Sequence, residues 1–92
     1  MAGVRGLDVP KLPRGVKLRF DGVRGKHLLL APERVFELDG VAVAVVKLVD
    51  GRRTIDEIVD ILSSSFEGEP DIIRGDVATM LADLAEKRIV EL

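Results

Sequence analysis

The chain has 92 residues, no cysteine and a net charge of −2. That length makes one domain with a core of its own and no room for a second. The lack of cysteine excludes disulfides, thiolate nucleophiles and Cys-rich zinc sites, and fits a reducing cytoplasm. Charge is unevenly spread, +5 over residues 1–34 and −7 over residues 35–92, so the second half is a poor surface for phosphates.

Met1 to Arg14 carries Gly3, Gly6, Pro10 and Pro13 with little periodicity. It reads as a flexible arm over residues 1–12, ordering near Leu12, and lacks the apolar run of a signal peptide. From Val16 to Asp21, Val16, Leu18 and Phe20 alternate with charged residues, the period of a strand with one face on a core. Asp21-Gly22-Val23-Arg24-Gly25 supplies a turn. Lys26 to Ala31 is the return strand, and its three leucines predict a central strand covered on more than one side.

Pro32 has no N–H for a sheet ladder, so Glu33 to Leu38 is read as a separate third strand. Arg34, Phe36 and Leu38 fall on one face, with Phe36 and Leu38 toward the core; Glu33, Val35 and Glu37 fall on the other. As the last strand of a meander it lies at an edge, where an extended partner segment can add as another strand.

Leu38 to Asp50 is ambiguous. Val41, Val43, Val45 and Val46 favour a strand on propensity, whereas Asp39 can cap a helix and Gly51 suits a helix stop. This apolar segment is far too short to cross a bilayer. Thr54 and Glu57 form a capping box ahead of a helical stripe of Ile55, Ile58, Val59, Leu62 and Phe66. Ser63 to Gly68 is expected to fray. Pro70 opens a further helix in which Ile73, Val77, Met80, Leu81 and Leu84 recur at helical spacing, ending near Arg88; Ile89 to Leu92 is a short strand or extended end.

Candidate chemistry is sparse. His27 has neither cysteine nor a second histidine near it and reads as a sheet-surface residue, so no metal site is expected. Ser63, Ser64 and Ser65 lack a base and read as polar fraying residues. Asp56, Glu57 and Asp60 read as a solvated helix face, and Arg52-Arg53 as the flank of a helix start. Gly22-Val23-Arg24-Gly25 superficially matches a nucleic-acid clamp but joins two strands, and the phosphate-loop spacing is absent. No catalytic residue and no cofactor are expected. Strands followed by helices also suit a winged-helix DNA binder, but the last helix sets Asp71, Asp76, Asp83 and Glu86 against Arg74, Lys87 and Arg88, a balance phosphates repel.

Leu30-Ala31-Pro32-Glu33-Arg34, then Val35, Glu37-Leu38-Asp39, Asp50-Gly51-Arg52-Arg53-Thr54 and Asp76-Val77 with Met80-Leu81 and Leu84, occur in an order that resembles the PqqD family of pyrroloquinoline quinone biosynthesis. The match covers residues 12–92. The resemblance implies an α+β, winged-helix-like fold: a three-stranded antiparallel N-terminal sheet followed by three helices, with Leu38 to Asp50 the first helix and residues 13–92 a single peptide-recognition domain. It implies a cytoplasmic, non-enzymatic chaperone, a recognition element for ribosomally made peptides. Such an element binds a PqqA-like precursor peptide and presents it to a PqqE-like radical S-adenosylmethionine enzyme, with no nucleic acid or membrane as partner. The implied peptide-binding residues are Arg34, Val35, Phe36, Glu37 and Leu38 on the third strand, and Ile73, Val77, Met80, Leu81 and Leu84 on the third helix, either lining a cleft or filling the core. Runner-up readings are a winged-helix DNA-binding regulator and a homodimer paired through the exposed strand.

Overall fold

The computed structural model describes residues 5–92; the first four residues of the expected arm lie outside the described residues. Three strands, β1 (Lys17–Asp21), β2 (Lys26–Ala31) and β3 (Arg34–Leu38), precede three helices, α1 (Gly40–Lys47), α2 (Ile55–Ser65) and α3 (Pro70–Glu86). This is the expected α+β order. The sheet is an antiparallel meander in the order β1-β2-β3, with Leu18 and Phe36 both opposite Leu29.

The alternation of side chains sets Leu18, Leu29 and Phe36 on the helix-facing side, where Leu29 is fully buried and its neighbours are partly so. Coverage of the central strand is one-sided, contrary to expectation. Leu28 and Leu30 are only half-buried and border an open hollow on the opposite face. Period two puts them there whatever their hydrophobicity, and among the described residues no helix packs on that side. Phe20 belongs to the core side by register but lies at the sheet's end, 55% exposed, with its ring tilted against that of His27 at a centroid distance of 4.8 Å.

Pro32 is the corner of a tight hairpin. Ala31 and Arg34 are paired, leaving Pro32 and Glu33 as a two-residue loop, and Glu33 adopts φ 61°. Proline at the first central position with a left-handed residue at the second is what a type II turn requires, so Glu33 leaves the strand to which it was assigned.

The ambiguous valine segment is helical. Asp39 Oδ1 accepts the Ala42 N–H at 2.8 Å, and Val43, Val45 and Val46 are buried. Helix α2 runs through the serines: Ser64 and Ser65 hydroxyls donate to the Asp60 and Ile61 carbonyls one turn back instead of fraying. Helix α3 ends in a Schellman motif, with the Ile89 N–H on the Leu84 carbonyl (2.8 Å), the Arg88 N–H on the Ala85 carbonyl (3.0 Å) and Arg88 at φ 63°. That reversal drops Ile89 and Val90 into the core, among Val45, Val46, Ile55, Ile58, Leu62, Val77 and Leu81.

Residues 5–12 pass from the start of α2 to the C-terminal end, where Lys11 makes an antiparallel bridge with Glu91. Lys11 and Glu91 exchange two backbone hydrogen bonds of 2.8 Å. Upstream, the Gly6 and Asp8 carbonyls each accept, at 2.9 Å, from the Asp56 and Ile55 N–H groups, and the Pro10 carbonyl accepts from Gly51 at 3.1 Å. The first N–H groups of a helix have no intrahelical acceptor, so this segment completes the start of α2.

Candidate functional site

In a two-residue hairpin the residues flanking the turn exchange both backbone hydrogen bonds, and alternate pairs beyond them do the same. Applied to the β2–β3 register, Arg34, Phe36 and Leu38 direct their backbone groups at β2. Val35 and Glu37 direct theirs away. Strand β3 pairs with β2 alone among the described residues, so the N–H and C=O of Val35 and of Glu37 form a row of four open ladder groups. Their side chains lie on the outer face, where Val35 is 63% exposed and Glu37 accepts from Lys26 at 2.6 Å. The hydrogen bond and charge of Glu37 raise the Lys26 pKa above its ordinary value.

Strand β1 is the other edge of the meander, a point that the sequence reading passed over. What distinguishes β3 is its surroundings. Asp39, which follows it directly, borders a shallow groove whose other lining residues include Val41, Asp76 and Met80. Val41 and Asp76 also border a second hollow of about 190 Å³, walled by Leu62, Phe66, Ile72 and Ile73 and reaching Val77. The two share Val41 and Asp76, so their lining residues lead from Asp39, where β3 ends, along α1 and α3 to Leu62 and Phe66 at the end of α2, a path termed the groove.

The ten implied peptide-binding residues separate on this geometry. Arg34 to Leu38 form the edge strand, with Arg34 5.8 Å over the Phe36 ring. On α3, Val77, Leu81 and Leu84 are buried and hold the helix to the core, whereas Ile73 and Met80 are half-buried, each at the boundary of the groove. Groove residues absent from the sequence reading of the site include Asp39, Val41, Phe66, Ile72 and Asp76. Ile72 carried a signal: it is an isoleucine one position off the apolar stripe of α3, and it is 62% exposed.

Among the described residues no three His, Cys, Asp or Glu side chains cluster as metal ligands, and no helix is long and apolar enough to cross a membrane. Of the carboxylates read as a solvated face, Asp56 forms an ion pair with Arg74 of α3 and Glu57 closes the capping box with Thr54. Arg53 is paired with Asp50. An open row of backbone groups next to an apolar groove is equipped to hold an extended chain by its backbone and by a few side chains.

The family model for "Coenzyme PQQ synthesis protein D (PqqD)" matches residues 26–90. Among curated relatives, the bifunctional coenzyme PQQ synthesis protein C/D of Methylorubrum extorquens is 60% identical over 86 residues, covering 94% of this chain and 23% of that protein. The chain therefore spans under a quarter of that relative's length. The PqqA binding protein of Rhizobium meliloti is 40% identical over 89 residues, covering 97% of this chain and 91% of the relative. Among solved structures, the solution NMR structure of the PqqD truncation of Methylobacterium extorquens PqqCD is described as a functional, stand-alone recognition element for ribosomally synthesized and post-translationally modified peptides. It superposes with a TM-score of 0.84 at 58% identity, covering 97% of this chain and 95% of that one.

Proposed function

This chain belongs to the PqqD family, and from that premise we propose that it is a non-catalytic chaperone that binds a PqqA-like precursor peptide by strand addition to β3. The observation that carries the proposal is the open backbone row of Val35 and Glu37 on a strand that runs directly into Asp39, at the edge of the groove. A relative 40% identical over nearly the whole chain is named for binding PqqA, which supports the choice of peptide. In the fuller proposal the bound peptide is presented to a PqqE-like radical S-adenosylmethionine enzyme, residues 13–92 act as the recognition domain, and the cytoplasm is the site of action.

The magnitudes suit a reversible carrier. Four ladder hydrogen bonds contribute roughly 1 kcal/mol net each. Two or three apolar side chains add roughly 1.5–3 kcal/mol apiece on burial. Ordering a disordered peptide takes back roughly 2–5 kcal/mol, before the loss of translational freedom. The expected affinity is micromolar or somewhat tighter.

The test is a titration of synthetic PqqA peptide into isotopically labelled protein. Amide shifts are expected at Arg34–Leu38, Ile73 and Met80. Val35→Pro removes one outward N–H that the fold itself leaves unused, so it is expected to weaken binding roughly tenfold with little change in melting temperature. Unchanged affinity in that variant, or no binding of the peptide at high micromolar concentration, refutes strand addition at β3. Sedimentation over a dilution series tests the competing use of the same edge, pairing of two copies.

A further inference from the structure

The groove beyond the end of β3 differs in chemistry from the strand edge. Its far hollow is apolar, walled by Leu62, Phe66, Ile72 and Ile73, with Phe66 43% and Ile72 62% exposed to solvent. A hollow of about 190 Å³ is comparable with the cavity of about 150 Å³ that accommodates a benzene ring. One leucine-, methionine- or phenylalanine-sized side chain fits it. The passage from β3 to this hollow is acidic. Asp39 and Asp76 border it, Glu67 stands at the hollow's rim, and no lysine or arginine is among the lining residues.

Among the described residues neither aspartate has a cationic partner within ion-pair distance. Asp39 uses one carboxylate oxygen to cap α1 through the Ala42 N–H, and among the described residues Asp76 makes no ion pair. Arg74, two residues from Asp76, is turned to Asp56 on α2. A chain laid in this passage therefore meets two carboxylates that line the same shallow groove before it reaches the apolar hollow, and a cation on that chain is what complements them.

We propose that this groove reads the peptide beyond its β-paired stretch, accepting a lysine or arginine between Asp39 and Asp76 and then one large apolar side chain in the hollow under Ile72. The inference rests on strand addition at β3 and adds to it an order of residues in the bound peptide: paired stretch, basic residue, apolar anchor. From Met80 to Ile72, α3 rises about 12 Å, which an extended chain covers in three or four residues. The anchor therefore lies about that many residues from the end of the paired stretch that reaches Asp39.

The experiment uses the full chain, synthetic PqqA peptide, and two variants at exposed positions, Asp76→Lys and Ile72→Glu. Each is expected to weaken the peptide by about tenfold or more. Peptides in which each basic residue is replaced in turn by glutamate are then titrated against Asp76→Lys. One of them is expected to regain affinity to within about threefold of the unmodified pair, a rescue that damage to the fold does not produce. On the unmodified protein, alanine replacement of the large apolar peptide residue that lies three or four positions beyond the paired stretch, about two from the basic one, is expected to weaken binding by a similar factor, a readout independent of any variant's stability. If PqqA peptide shifts the β3 amides but both variants bind within about twofold of the unmodified protein and no replaced peptide is rescued, the groove reading is overturned while strand addition stands. If the peptide does not bind the unmodified protein, both fall.

Discussion

Thr54 and Asp50 illustrate how single side chains terminate and begin elements. Thr54 Oγ1 accepts the Glu57 N–H at 3.1 Å while Glu57 Oε1 accepts the Thr54 N–H at 2.9 Å, so two donors at the start of α2 are satisfied reciprocally. Thr54→Ala is expected to cost about 0.5–2 kcal/mol, measured by urea denaturation. Asp50 Oδ1 accepts from the Arg53 and Arg52 N–H groups at 2.8 and 2.9 Å, and those bonds, with the Arg53 charge, hold its pKa below the ordinary value. A carboxylate whose pKa is depressed on folding contributes stability above its unfolded pKa and loses it as pH falls through the folded one. Asp50→Asn is therefore expected to lower the melting temperature at neutral pH, with the gap to the unmodified protein closing as the medium is acidified below the usual aspartate range. A gap that is constant from neutral to acid pH would show that the two backbone bonds do not depend on the charge. Glu33 is the reverse case, a residue in a left-handed turn position that glycine fills more cheaply, held there because Pro32 and the β2–β3 register leave a two-residue loop.

At the scale of elements, α3 divides its apolar residues between two tasks. Val77, Leu81 and Leu84 face the core, while Ile73 and Met80 stand at its boundary with the groove. The periodicity at 73, 77, 80, 81 and 84 placed all five on one broad stripe and could not divide it, because the stripe is wider than the surface that α2 covers. Leu81→Ala is expected to cost about 2–5 kcal/mol of stability, as for a fully buried leucine. Met80→Ala is expected to change stability by about 1 kcal/mol and to weaken PqqA peptide by roughly fivefold. Denaturation and titration on both variants check this, and a larger loss of stability at Met80 than at Leu81 contradicts the division. For α1, propensity pointed to a strand; burial of Val43, Val45 and Val46 and the Asp39 cap outweigh the modest helix penalty of β-branched residues.

Across the whole molecule, the N-terminal segment from Gly6 to Lys11 is tied to residues distant in the chain. Lys11 pairs with Glu91, Pro10 is fully buried, and Gly6, Asp8 and Pro10 supply acceptors to N–H groups of Asp56, Ile55 and Gly51. Deleting residues 1–10 removes three of these bonds at roughly 0.5–1.5 kcal/mol each, so a fall of about 1.5–4.5 kcal/mol is expected by denaturation. An unchanged midpoint would show that water serves those groups equally well. The charge layout also weighs against the DNA-binding alternative: the basic residues Arg74 and Lys87 of the α3 region are engaged with Asp56 and Asp83, and the open groove is acidic.

Local order was legible in the sequence. Period two gave the strands, Pro32 the break between the second and third, Thr54 with Glu57 the start of α2, and Pro70 with an apolar stripe α3, because each depends on residues within a few positions of one another. The family and the edge position of β3 were legible too, from short motifs in order and from the logic of a meander. The rest required the fold. That Val35 and Glu37, and not their neighbours, carry the open backbone groups follows from a hairpin register. The groove is assembled from Asp39, Phe66 and Asp76, which lie far apart along the chain. Gly6 and Asp8 find acceptor roles only because α2 begins beside them. A sequence pattern records what each segment prefers, whereas a groove, a shared edge and an N–H satisfied from a distant carbonyl exist only once separate segments are packed against one core.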